Sequence, residues 1–127
     1  MLTNVLKSIS DDESLELFRS IATSDSDSES LRNRTKMTRK QYYSRMSRLM
    51  RAGLIKRKNG KHSLTAFGKV IYETQITIEN AINNYWKLKA IDSLEMSDDL
   101  PLEERKKLID NLIENNGIRE ILARKPL

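Results

Sequence analysis

Between residues 38 and 65 the sequence is punctuated so closely that it constrains the chain to a helix, a sharp stop and a hairpin. Thr38 with Gln41 three residues later has the form of a capping box, in which each side chain satisfies a backbone N–H at a helix start. Tyr42, Met46, Leu49 and Met50 then recur at helical spacing and are expected to share the inner face. Gly53 is placed to end that helix in the left-handed conformation. Leu54 and Ile55 open a strand. Asn59-Gly60 is the strongest short hairpin signal, because both turn positions tolerate positive φ. Residues 61–65 return as the second strand. The outer helix face carries Arg39, Lys40, Tyr43, Ser44, Arg48 and Arg51, with Gln41 beside it. The hairpin tip holds Lys56, Arg57, Lys58, Lys61 and His62.

The charge around this segment is uneven. The 127 residues carry 23 Lys plus Arg against 18 Asp plus Glu, a net +5 that by itself says little about partners. Residues 1–30 hold seven acidic and two basic side chains. Residues 30–72 hold thirteen basic side chains and no acidic one, whereas residues 73–127 hold eleven acidic and eight basic. An ordinary solvated face mixes signs to avoid self-repulsion. A disordered basic tail would lack the periodic apolar residues found here, Met46, Leu49, Leu54, Ile55, Leu64 and Phe67. A folded basic surface is what neutralising phosphates requires.

Elsewhere the periodicity predicts further helices. Residues 12–22 form one, with Leu15, Phe18, Ile21 and Ala22 apolar, and a shorter one precedes it at 3–9. The acidic stretch 24–30 reads as a solvated loop, and a helix at about 28–35 is anchored by Leu31. From residue 66 to about 96 the apolar pattern predicts one long helix, through Phe67, Ile71, Ile78, Ala81, Ile82, Tyr85, Trp86, Leu88, Ile91 and Leu94. About 30 residues at ~1.5 Å each give roughly 45 Å. That exceeds the ~26 Å expected across a domain of about 100 residues, so something beyond the small core must cover the far end. A break at 97–101 leads to an amphipathic helix from about Leu102, Gly117 interrupts it, and Ile118, Ile121 and Leu122 mark a last short helix. The carboxylate pairs Asp98-Asp99 and Glu103-Glu104 flank that helix start, where negative charge favours the helix dipole more readily than it signals acid–base work.

Helix, short turn, helix and hairpin is the order of a winged helix-turn-helix module. An exposed helix of this kind fits the major groove with its N-terminal residues against base edges. Arg39 and Arg48 suit guanine O6 and N7, Gln41 suits adenine, and Thr38, Lys40, Tyr43 and Ser44 are placed for phosphate or base contacts. Lys56, Arg57, Lys58, Asn59, Gly60, Lys61 and His62 form a basic wing for phosphates or the minor groove, His62 being expected near a phosphate. The stretch resembles the recognition helix, wing and following helix of archaeal winged-helix transcriptional regulators. The resemblance rests on the Arg-x-x-x-Leu-x-x-x-Gly-Leu-Ile-Lys pattern from Arg45 to Lys56, the wing, and Leu64-Thr65 followed by Gly68-Lys69. It covers about 31–75 and hardly touches 76–127. It implies a DNA-binding regulator without enzymatic activity. In the turn before the recognition helix, many such proteins have glycine where this chain has Lys36 before Met37.

The expected architecture is therefore mostly α with a small β-hairpin wing: a winged helix-turn-helix domain at 1–75, then a helical extension at 76–127. The extension is expected to make a homodimer through Ile78, Ile82, Tyr85, Trp86, Leu112 and Ile113; Tyr85 and Trp86 lining a small-molecule pocket is the weaker alternative. The expected partners are double-stranded DNA and a second copy, with no identifiable effector. Two rivals stay open: a low-specificity architectural DNA binder, and a winged helix that binds proteins. With no cysteine and one histidine, disulfides and thiolate zinc sites are excluded, and no metal or cofactor is expected. No nucleotide-binding glycine loop or nucleophile motif is present. The N-terminal sequence lacks a signal-peptide run and no segment approaches ~20 apolar residues, so a cytoplasmic, DNA-associated protein is expected.

Overall fold

The computed structural model describes residues 1–23, 28–95 and 100–124. The stretch 24–27 and the break at 97–99, with Asp98 and Asp99, lie outside them. The order of elements is α1 (Leu2–Ser8), α2 (Asp12–Thr23), α3 (Ser28–Thr35), α4 (Arg39–Arg51), β1 (Ile55–Lys58), β2 (Lys61–Leu64), α5 (Ala66–Asn83), α6 (Tyr85–Glu95), α7 (Leu102–Leu112) and α8 (Asn116–Ala123). The chain divides into two compact units, Met1–Glu73 and Thr74–Leu127, with the boundary falling inside α5.

The first unit is built on one apolar cluster. Val5 of α1, Leu17, Phe18 and Ile21 of α2, Leu31 of α3, Tyr42, Met46 and Leu49 of α4, and Leu54, Ile55 and Leu64 of the hairpin are all buried in it. In α2 the inner face runs through Leu17 rather than Leu15, which is only half-buried. In α4, Met50 does not share the inner face: it lies 40% exposed, about 80° round the helix from Tyr42 at ~100° per residue. Tyr72 of α5 packs its ring edge-on to Phe18 at 5.9 Å.

The two ends of α4 are fixed by local chemistry. At the start, Gln41 N donates to Thr38 Oγ1 at 3.2 Å, and Thr38 N donates to Gln41 Oε1 at 3.1 Å, so both halves of the capping box form. At the end, Gly53 adopts φ 81°. Leu54 N donates to Leu49 O at 3.1 Å and Gly53 N to Met50 O at 3.0 Å. This is the paired bonding of a Schellman stop, and the apolar contact that accompanies it comes from Leu49 and Leu54 in the same cluster.

The hairpin pairs antiparallel, Ile55 with Leu64, Lys56 with Ser63, Arg57 with His62 and Lys58 with Lys61. Asn59 (φ 55°) and Gly60 (φ 75°) both take positive φ, the requirement of the tight two-residue turn. Thr65 then joins the hairpin to α5. Its hydroxyl donates to the Gly53 carbonyl and accepts from Gly68 N at 2.9 Å, while its own N–H donates to Leu54 O at 3.1 Å. The first turn of α5 comes so near that a Cβ on Gly68 would stand 1.9 Å from the Leu54 carbonyl oxygen.

The stretch expected to continue as one rod from residue 66 is interrupted at Asn84, between α5 and α6, although Asn84 N still donates to Asn80 O at 3.1 Å and Leu88 N to Asn84 O at 2.9 Å. The Asn84 side chain donates to Asn80 O at 2.8 Å, a local bond that competes with helix continuation. The far end is covered from within the chain. Ile91 of α6, Ile109 of α7, and Ile113 and Ile118 form a second buried cluster, with Leu88, Leu112 and Leu122 packed on it. Ile113 is fully buried there, so it serves this cluster and not an interface between copies. Asn115 caps α8 by accepting from Ile118 N at 3.0 Å. Arg119 turns back and donates to the carbonyls of Ile113 and Asp110, satisfying the open end of α7. Gly117 thus sits inside α8, and the break falls just before Asn115.

Candidate nucleic-acid interface

The helix α4 presents its outer face as a regular stripe. With Tyr42, Met46 and Leu49 buried, the side chains diametrically opposite are Lys40, Ser44, Ser47 and Arg51, at spacings of four, three and four, and all are exposed. Lys40 and Ser44 belong to the expected contact set. Ser47 lies outside that set, and Arg51 belongs to the outer face without an expected DNA contact. Simple helical periodicity centred on Tyr42 would have found both. Tyr43 and Arg48 flank the stripe and are exposed, Tyr43 at 59%, while Arg39 is exposed in the first turn, nearer by rotation to the buried line than to the stripe. Tyr43 also meets the buried Tyr42 edge-on at 5.4 Å, so one side of its ring is supported by the core.

One expected reader has another engagement, and a neighbouring arginine outside the expected set is held as well. Gln41 uses its Oε1 in the capping box with Thr38. A bidentate contact to adenine needs both the oxygen and the amide nitrogen. The glutamine that starts the helix therefore has to leave its cap before it can read a base that way. Arg45, one turn before Leu49, faces inward toward the N-terminal end of α2. Its Nε meets Asp11 Oδ2 at 3.2 Å and its Nη2 meets Glu13 Oε2 at 2.8 Å. Burial pushes the Asp11 carboxyl up, but the Ser14 hydroxyl nearby and the hydrogen bond and charge of Arg45 outweigh it, so the pKa is lowered overall. These pairs tie the outward-facing helix to α2 and occupy two nearby carboxylates.

The hairpin sorts its charges by face, because residues paired across an antiparallel ladder share a side. Ile55 and Leu64 face the core, and so, by alternation, do Arg57 and His62. Lys56, Lys58 and Lys61 lie on the other face and are exposed. The expected phosphate contact of His62 is corrected by this register. The ring is 4% exposed and cannot meet a phosphate where it stands. Burial, and the charge of Arg57 opposite, hold its pKa below the usual histidine value. The period-two signal was in the sequence, since His62 and Leu64 are two apart and Leu64 must face the core. Arg57 stays exposed at the tip, and Asn59 and Gly60 form its turn.

The turn between α3 and α4 resolves the question posed by Lys36. This residue takes φ 57°, the left-handed conformation that glycine adopts without strain. The backbone geometry of a glycine turn is thus kept by a lysine. Met37, beside it, is buried and locks the turn to the cluster.

No protein-family model matches the chain, and no curated protein matches its sequence. Among solved structures, it is similar to an ArsR-like transcriptional regulator from Rhodococcus sp. RHA1, with a TM-score of 0.51 at 20% identity, over 78% of this chain and 94% of that one. The fold is a winged helix. In the terms of that fold, α3 and α4 are the helix-turn-helix pair, α4 is the outward helix, and β1–β2 is the wing. The source of the similar chain lends no support to an archaeal attribution. Among the described residues of the winged-helix chain, no helix is long and apolar enough to cross a membrane.

Proposed function

We propose that the chain binds double-stranded DNA through its first unit and regulates transcription as a homodimer. One observation carries this reading. The exposed stripe of α4 and the lysine row of the wing both fall within 43 consecutive residues that hold thirteen cations and no carboxylate. The similar Rhodococcus chain, an ArsR-like transcriptional regulator, is consistent with it. In this reading α4 enters the major groove, with Arg39, Lys40, Tyr43, Ser44 and Arg48 at bases or flanking phosphates and Thr38 at its N-terminal end. The wing sets Lys56, Lys58 and Lys61 on phosphates. Replacing Arg39, Arg48 and Lys58 together by alanine abolishes duplex binding at roughly physiological salt, since each lost phosphate contact removes about one released counterion. Undiminished binding by the triple variant sinks the assignment.

Homodimerisation is assigned to the second unit. Ile78, Ile82, Tyr85 and Trp86 recur at helical spacing and are exposed by 54, 66, 50 and 77%. Tyr85 and Trp86 stack edge-on at 5.3 Å, with Lys89 Nζ 5.5 Å from the Tyr85 ring centre. Exposed apolar residues this close together usually mark an interaction surface. A two-fold pairing would set two α4 helices about one turn of DNA apart, near 34 Å. Sedimentation at micromolar concentration checks it, and a monomer would contradict it.

The engaged Gln41 oxygen favours one alternative, a DNA binder of low sequence preference, because it removes one base reader from the outer face. Competition of a selected duplex against random duplex at fixed salt decides between them: equal affinity supports the low-specificity reading.

A further inference from the structure

A second cationic feature, which shares only Arg48 with the expected DNA-contacting set, lies between the short helix α1 and the C-terminal half of α4. It is a cleft of about 600 Å³ lined by Asn4, Lys7, Ser10, Arg48, Arg51 and Ala52. None of the described residues lining it is acidic. Lys7, Arg48 and Arg51 are exposed, and none has an ion-pair partner among the described residues. Of the acidic residues that follow Ser10 in sequence, Asp11 and Glu13 are held by Arg45, and Asp12 does not line the cleft. Ser10 spends its hydroxyl proton on the Lys7 carbonyl at 3.0 Å. The donors left facing the cleft are therefore the Asn4 amide, the Lys7 ammonium and two guanidinium groups one turn apart on the same helix.

Three uncompensated cations around one concavity repel each other, and an anion between them relieves that repulsion. Guanidinium pairs and an ammonium are the donors that suit phosphate oxygens. The geometry points to this cleft as a phosphate-binding site that holds a backbone phosphodiester of DNA flanking the groove entered by α4. The inference rests on the DNA-binding reading and deepens it. It adds Asn4 and Lys7, which lie outside the carboxylate-free stretch, and Arg51. It also moves Arg48 from reading a base to gripping the backbone. The cleft lies along the second half of α4, whereas the base-reading positions lie in its first half, so one helix would read with one end and be anchored at the other.

The test compares the 127-residue chain with its Lys7→Gln, Arg51→Gln and Lys40→Gln variants. Affinity for a selected and a random duplex is measured from roughly 50 to 300 mM salt. Lys7 is exposed and unpaired, so its replacement leaves the fold intact, which an unchanged melting temperature verifies. Lys7→Gln and Arg51→Gln are each expected to weaken both duplexes equally, about three- to tenfold, and to reduce the slope of log K against log salt by about 0.9. Lys40→Gln reporting the loss while Lys7→Gln and Arg51→Gln leave slope and affinity unchanged overturns the cleft and keeps the DNA-binding reading. Absence of duplex binding by the unmodified chain overturns both. Inorganic phosphate at constant ionic strength separates the two sources of the anion. If phosphate raises the melting temperature of the chain but not of Lys7→Gln, and the variant keeps full duplex affinity, the occupant is a free anion and the backbone assignment falls.

Discussion

Gly68 is the residue whose replacement should matter most to the fold. A methyl group there would stand 1.9 Å from the Leu54 carbonyl oxygen, which is backbone and cannot swing aside. Gly68→Ala must therefore push α5 off the hairpin, and an overpacked site of this kind costs at least ~2–3 kcal/mol. The shift of the urea midpoint measures it, and a loss below about 1 kcal/mol would contradict the close approach. Lys36 makes the opposite prediction. Left-handed backbone costs a side-chain-bearing residue ~1–2 kcal/mol, whereas glycine adds roughly 0.5–1 kcal/mol of unfolded-state entropy. Lys36→Gly is thus expected to stabilise the chain by about 0.5 kcal/mol, and a destabilised variant would contradict the observed φ. His62 predicts a pH dependence. Its pKa is lowered in the fold, so the unfolded chain binds the proton more readily. Its contribution is complete above the unfolded value near 6.5 and is lost as pH falls from there through the folded value. The urea midpoint should fall between pH 7.5 and 5, and His62→Leu should flatten that part of the curve. An equally steep fall in the variant would contradict the assignment to His62.

At the scale of elements, α4 shows what one segment of sequence reveals and what it hides. Its boundaries were legible because both are local. Thr38 and Gln41 bond each other across three residues, and Gly53 bonds back within five. Asn59-Gly60 was legible for the same reason. The partners of Arg45 were not, since Asp11 lies 34 residues away and only packing brings it near. The Gly68 contact is likewise made by folding the helix back on Leu54. His62 was misplaced for another reason. Its charged neighbours suggested a surface, while strand alternation, which decides burial, pointed inward. The interruption at Asn84, where the side chain bonds back to Asn80 O, is a local feature that apolar periodicity does not register. One substitution separates the two uses of Gln41. Gln41→Glu keeps the capping box and favours the helix dipole, so stability at pH 7 is expected to hold within about 0.5 kcal/mol. A carboxylate on the outer face should nevertheless lower duplex affinity about tenfold or more. Unchanged affinity would place Gln41 away from DNA.

The molecule as a whole divides into two compact units. The first concentrates positive charge on α4 and the wing. The second closes its own cluster around Ile113 and still leaves Ile78, Ile82, Tyr85 and Trp86 in solvent. Ile82→Asp is therefore expected to convert a dimer to a monomer without loss of helix content, as sedimentation and circular dichroism together would report. A dimer that survives it would place the interface elsewhere. Less of this half was legible from sequence, because an apolar stripe marks a covered face without saying whether the cover is α7 and α8 or a second copy. The central claim concerns the first unit, and salt titration tests it most directly. Duplex affinity of the chain and of Lys56→Gln/Lys58→Gln/Lys61→Gln is measured across the same salt range. The account predicts steeply salt-dependent binding by the chain, and a slope about 2–3 units shallower for the triple variant. Binding without salt dependence, or identical slopes for the two proteins, would contradict it.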